Sequence, residues 1–387
     1  MKAIWITLGF ALAAASVAHF TPAGHDPKPA IVLLRAPEGG IEPQTALDGA
    51  GALHMVYFKG DASGGDIEYV RRDPGQKNFA SPIRVNSAPA TAVAIGTVRG
   101  PQMSVGRNGR VYVIWFGSSE KTAPEAGMPI FFSRLNDART AFEPQRNLMR
   151  YTQGGDGGLS VAADLLGHVY AVWHAFFREP GEEHRRVYLA SSADDGRSFS
   201  REVPVSPPEL GACGCCGMRA FVDASGTLYV LFRAAAQGVH RDMTLLASSD
   251  RGRTFRTTTL GPWELNACPM STAYLSEGRQ RLIAAWEKAG QVYFGALDSG
   301  SFALVSTVVA PGDARNQKHP AVAANQAGQV LMAWTEGAGW SKGGSLVWQL
   351  FDPSGKPVGE TGRLAGLPAW DLPSVFTDQE GNFVVAY

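Results

Sequence analysis

Apolar positions recur along the chain in pairs of short runs, not with a helical period. The first run of each pair alternates apolar and polar residues. A turn follows, and the second run is almost wholly apolar. This pairing occurs seven times, starting at Pro43, Pro101, Leu159, Met218, Thr272, Pro320 and Pro373. The second runs reach an aromatic at Tyr57, Trp115, Trp173, Phe232, Trp286, Trp334 and Tyr387. Six residues before these aromatics stand Gly51, Gly109, Gly167, Gly226, Gly328 and Gly381; only the fifth segment lacks the glycine. Nine residues before them stand Asp48, Asp164, Asp223, Asn325 and Asp378.

Alternation at period two predicts a strand with one buried face, and an all-apolar run predicts a strand covered on both faces. Asp or Asn followed by Gly supplies the turn, because Gly adopts a positive φ without steric cost. Each hairpin is followed by a third strand, such as 187–190 or 244–247, and then by a fourth. The repeat length of about 50–60 residues is that of propeller blades. The expected fold is therefore all-β, a β-propeller of antiparallel four-stranded blades. Seven repeat units are counted, the last with only two strands. Ile31, Val32, Leu33 and Leu34 are placed to add an outer strand to that last unit. A six-bladed ring with an irregular terminal pair is the alternative.

Basic Met1-Lys2, an apolar run from Ala3 to Ala15 and the small-residue site Ser16-Val17-Ala18 predict a cleaved secretory signal peptide over 1–18. The run is short for a spanning helix and has no basic stop after it, so no stable membrane anchor is expected after cleavage. Residues 19–30 then form an extended lead-in and 31–387 a single propeller domain. The expected location is periplasmic or extracellular. Lys+Arg and Asp+Glu are both 35, and this zero balance argues against nucleic acid as the main partner.

Two turns between third and fourth strands carry a specific motif. They are Ser192, Asp194, Gly196, Ser198, Phe199 and Ser248, Asp250, Gly252, Thr254, Phe255, both of the form S-x-D-x-G-x-[ST]-F. They resemble the Asp-box, or BNR, repeats of the sialidase superfamily, whose fold alternative is the six-bladed ring. The resemblance implies that Asp194 and Asp250 build turns away from the catalytic face. It also implies that a working enzyme, a glycoside hydrolase of sialidase type, needs three arginines on the substrate carboxylate, a Tyr–Glu pair and an Asp. The family's Arg-Ile-Pro is absent here; the corresponding place reads Gly40-Ile41-Glu42-Pro43. Arg219, Arg233, Arg315, Glu287 and Tyr274 are the catalytic candidates, and no spacing singles them out. Whether the chain is an enzyme stays open.

The four cysteines form the sharpest chemical signal. Cys213, Cys215 and Cys216 lie in one connection, and Cys268 lies at nearly the matching place of the next repeat. The repeat register puts both groups on adjacent blades at the channel mouth. Two readings stand. Disulfides fit an even count in an exported chain. A thiolate site for copper or zinc fits up to four sulfur donors, with Met218, Met270 and His240 as possible added ligands. Glu42, Asp156, Lys318, His319 and Asp371 are expected at the same mouth, and Trp263, Trp340 and Trp370 in its loops. The leading reading is an exported, sialidase-like binding propeller with a cysteine-lined site, disulfide/redox or thiolate–metal, for a small-molecule, glycan or protein ligand. The alternatives are a divergent exo-sialidase-type hydrolase and an interaction scaffold with structural disulfides.

Overall fold

The computed structural model describes residues 29–96, 98–118, 128–278, 281–312 and 316–387. The signal-peptide segment, most of the lead-in and Arg315 lie outside the described residues. The rest is a ring of seven sheets, six of four strands and one of three. Blade four shows the order: strands Arg219–Val222, Leu228–Arg233, Met243–Ser248 and Arg256–Gly261 pair consecutively and antiparallel, from the channel outward.

The sequence register survives in the backbone. Gly51, Gly109, Gly167, Gly226, Gly328 and Gly381 all have positive φ, between 66° and 96°. The repeat acids close the same turns: Asp48 Oδ1 accepts from the N–H groups of Ala50 and Ala52, and Asp164 Oδ1 from those of Leu166 and His168. The terminal aromatics pack between blades. Trp334 of blade six sits in one cluster with Phe294 of blade five and Phe383 of blade seven. Blade-to-blade packing of this kind replaces a central core.

The ring closes at blade seven. Ile31–Leu34 pairs with Phe383–Ala386, as expected, but the pairing is parallel. The direction follows from where the chain must go next. It has to leave the strand at the mouth, where the first inner strand, Ile41–Leu47, begins. Only a strand running with Phe383–Ala386 delivers it there. This blade has three strands, not four. A side-chain contact seals the same seam, with Thr45 Oγ1 and Ser374 Oγ 2.8 Å apart.

The strand order divides the loops between two faces. Connections between first and second strands, and between third and fourth, lie on one face. Those between blades, and between second and third strands, lie at the mouth. Both S-x-D-x-G turns therefore sit opposite the cysteines. Each carboxylate is saturated by its own turn: Asp194 accepts from Ser192 Oγ (2.7 Å), Ser198 N–H (2.9 Å) and Ser198 Oγ (2.6 Å). Asp250 repeats this with Ser248 and Thr254. Phe199 plugs the first turn against Phe132, with ring centroids 4.8 Å apart, and Phe255 packs on the blade three–four cluster.

Candidate functional site at the channel mouth

The cysteine loop joins the outer strand of blade three, Val203–Pro204, to the inner strand of blade four. Backbone bonds pin it from three blades. Cys213 N–H donates to Arg233 O (2.9 Å), Gly157 N–H to Gly214 O (2.8 Å) and Gly217 N–H to Ser271 O (3.0 Å). Gly214 N–H donates to Glu182 Oε1 (2.8 Å). A Cβ on Gly214 would fall 2.1 Å from the Arg185 guanidinium, so glycine lets the loop pass close under blade three.

This pinning brings three sulfurs together. Cys213 Sγ is 3.5 Å from Cys215 Sγ and 3.3 Å from Cys216 Sγ, and all three lie within 4.8 Å of one another. Cys268 reaches the cluster from the blade-five connection: its Sγ, Cys215 Sγ and a Glu182 oxygen also lie within 4.8 Å of one another. All four are free thiols. The separations exceed a disulfide bond of about 2.05 Å, so no two of these cysteines stand at disulfide distance. Cys213 and Cys216 are buried, Cys215 is partly covered and Cys268 is exposed.

Two ion pairs flank the trio, Arg233 with Glu287 at 3.8 Å and Arg241 with Glu182. Arg233 and Arg241 are both buried. Arg233 donates to Arg241 O (2.9 Å) and Glu287 O (2.6 Å) and stacks on Trp263 at 5.0 Å. Arg241 pairs with Glu182 at 2.6 Å. Burial opposes ionisation of Cys216. Donation from Cys213 and Cys215, the Arg233 guanidinium and the Ser271 N–H overcome it and hold the thiol well below its ordinary pKa. Cys213 moves the other way, pushed up by its bonds to Cys215 and Cys216 and by burial. Within the trio Cys216 is thus the most acidic thiol, with the Cys213 and Cys215 sulfhydryls donating to it.

Two buried histidines stand nearby, each with Nδ1 unpartnered among the described residues. Burial, with Arg185, pushes His174 down to about 4; burial, with Lys318, pushes His319 down to about 3. Both are neutral at neutral pH. Lys318 itself donates to Pro269 O at 2.7 Å, bracing the Cys268 segment. Glu287 is buried, and burial raises its pKa; its Oε1 accepts from Gly290 N–H at 2.6 Å.

The other expected residues are placed as follows. Met218 is consumed by the core beside Phe232 and Ala220. Met270 offers its backbone N–H to the Cys215 sulfur. His240 turns to Glu264 at 3.7 Å and joins neither sulfur group. Arg219 points down the channel, donating to Gln44 Oε1 (2.6 Å) and Gln102 Oε1 (2.9 Å) above the Tyr274 ring. A cavity of about 480 Å³ lies on the inner strands beside it. Arg219 and Arg233 thus serve separate places, one in the channel and one behind the cysteines.

Across the mouth, Glu42 N–H donates to Asp371 Oδ1 at 2.9 Å. Both carboxyls are buried, and no side chain among the described residues hydrogen-bonds either Glu42 oxygen. Burial and the Asp371 charge raise Glu42 well above its ordinary pKa, and burial lifts Asp371 to about 6. Glu42 and His319 occupy the same repeat position, each before a proline, and both have φ of 54°. Register shifts in their inner strands accommodate them. Asp156 pairs with Arg99 at 2.6 Å. The Arg99 guanidinium faces the half-exposed Trp340 at 6.0 Å, and Trp370 donates its ring N–H to Trp340 O.

Sequence reasoning missed Glu182, Arg185, Arg241 and His174. All but His174 belong to loops between second and third strands, which share the mouth with the blade connections. That shared face was the available signal.

No protein-family model matches the chain, and no curated protein matches it. Solved structures do. A protein of unknown function from Dyadobacter fermentans superposes with a TM-score of 0.54 at 13% identity, over 88% of this chain and 98% of its own. A Hadza microbial sialidase superposes with a TM-score of 0.51 at 14% identity, over 82% of this chain and 73% of its own. At this identity the likeness shows the propeller fold alone.

Proposed function

We propose that this chain is an exported, Asp-box propeller of sialidase-like fold. Its channel mouth binds one thiophilic metal ion, copper(I) before zinc(II), on the sulfurs of Cys213, Cys215 and Cys216. The observation that carries this reading is the convergence of three sulfurs within 4.8 Å. A disulfide joins two sulfurs and leaves the third idle. A metal uses all three, with a sulfur–sulfur edge near 3.8 Å for tetrahedral angles about a ~2.3 Å bond; the observed 3.3 and 3.5 Å lie close to that edge. Soft sulfur donors favour copper(I) over harder ions. The buried Arg233 guanidinium favours negative charge on Cys216. Export rests on the leader pattern of the first 18 residues.

The test is metal analysis of protein purified without reductant or chelator, with free thiols counted in the same preparation. About one copper or zinc per chain, absent from the Cys213→Ser, Cys215→Ser, Cys216→Ser triple variant, supports the reading. No metal, with two thiols missing from the count, replaces it with the redox-disulfide reading. A glycan ligand is the second reading, favoured by the Trp340–Trp370 wall beside Arg99. Screening the protein against sialosides and neutral glycans, for binding and for cleavage, tests it together with the hydrolase alternative.

A further inference from the structure

The second sulfur group has no role in a three-sulfur site. Glu182, Cys215 and Cys268 also converge, their ligand atoms lying within 4.8 Å of one another, and Cys215 belongs to both groups. Exposure grades across the four cysteines, from exposed Cys268 through partly covered Cys215 to buried Cys213 and Cys216. The outer segment is held in place: Pro269 O accepts from Lys318, and the Met270 N–H bonds Cys215.

We propose that Cys268 and Cys215 form an outer metal station that captures copper(I) from solution and passes it to the inner trio through Cys215. This rests on the thiolate reading above. A two-coordinate ion bridges sulfurs about 4.6 Å apart, twice a ~2.3 Å metal–sulfur bond, and the Cys215–Cys268 separation of no more than 4.8 Å admits it. Glu182 is engaged by Gly214 N–H and Arg241, and as a hard oxygen donor it does not compete for copper(I).

The steps balance. On capture, Cys215 and Cys268 each lose a thiol proton to solvent as two sulfur–copper bonds form. On transfer, the copper–Cys268 bond breaks and bonds to Cys213 and Cys216 form. Each inner sulfur releases any proton it holds as its bond to copper forms, and the freed Cys268 sulfur takes a proton back. Copper stays in the +1 state and no electron moves. Keeping Cys215 bound throughout means that the ion is never released, so exchange proceeds by displacement at one ligand at a time.

The experiment is anaerobic stopped-flow loading from the copper(I)–bathocuproine disulfonate complex, read as loss of its colour, with the wild type and Cys268→Ser. Cys268 is exposed, so the serine variant keeps the fold, which circular dichroism checks. The expected result is the same final stoichiometry in both proteins, with loading at least about tenfold slower in the variant. Equal rates overturn the station and leave the thiolate site standing. Loss of stoichiometry in Cys268→Ser also overturns it, because Cys268 is then a resident ligand. No uptake by the wild type defeats the thiolate reading and the station with it.

Discussion

The Cys213 sulfhydryl donates to the Cys216 sulfur across 3.3 Å, and this contact drives the two thiols in opposite directions. The Cys216 thiol is pushed down and the Cys213 thiol up. Burial of both sulfurs hides Cys216 from reagents in bulk water, so the most acidic thiol is not the most reactive one.

Maleimide labelling of the native protein is therefore expected to modify Cys268 first and Cys213 and Cys216 at least roughly ten times more slowly. One equivalent of copper(I) protects Cys215 and leaves Cys268 reactive. Mass spectrometry of the labelled peptides reads both effects. Fast labelling of Cys216 in the native state contradicts the buried trio.

The Glu42–Asp371 pair gives the fold a pH dependence. Folding raises both pKa values, so the folded state holds protons that the unfolded chain releases. Stability is then highest below the ordinary carboxyl range and falls as pH rises from about 4 through about 6, the Asp371 value. Glu42→Gln is expected to remove much of this fall and to raise stability at pH 8 more than at pH 5. Thermal midpoints at pH 5 and 8 for both proteins check it.

The Asp194 turn has the opposite sign. Slight burial disfavours its charge, but the donors of Ser198 and Ser192 prevail and lower its pKa to about 2. Its contribution is present above about pH 4 and is lost as pH falls through about 2. Asp194→Ala is expected to lower the melting temperature by a few degrees at pH 7 and to leave metal stoichiometry unchanged. A change in stoichiometry would connect this face to the site, against its position across the ring.

Ring closure depends on a short parallel strand. Deleting residues 29–34 leaves the Phe383–Ala386 strand with a bare edge. The expected cost is roughly 2–4 kcal/mol, with increased aggregation. An unchanged denaturation midpoint contradicts a closing role for Ile31–Leu34.

Much of the fold was legible because hairpin repeats leave a mark at fixed spacing. Gly109 and Gly226 mark turns wherever they recur, and Trp115 and Trp173 mark strands covered on both faces. Even the closing strand was readable, as an apolar run with no hairpin of its own. Its parallel direction was not, since that follows from the path of residues 35–40 in space. The site was legible only where the chemistry was rare. Four cysteines stood out, whereas Arg241 and Glu182 look like any surface ion pair until the blades set them together at 2.6 Å. Met218 and His240 were drawn in by their residue types, but packing claims the first and Glu264 the second.

X-ray absorption at the copper edge of anaerobically loaded protein tests the central claim most directly. The account predicts copper(I) in a sulfur-only shell with three scatterers at about 2.3 Å, matching Cys213, Cys215 and Cys216. A shell of nitrogen or oxygen, or protein that retains no copper after desalting, contradicts it.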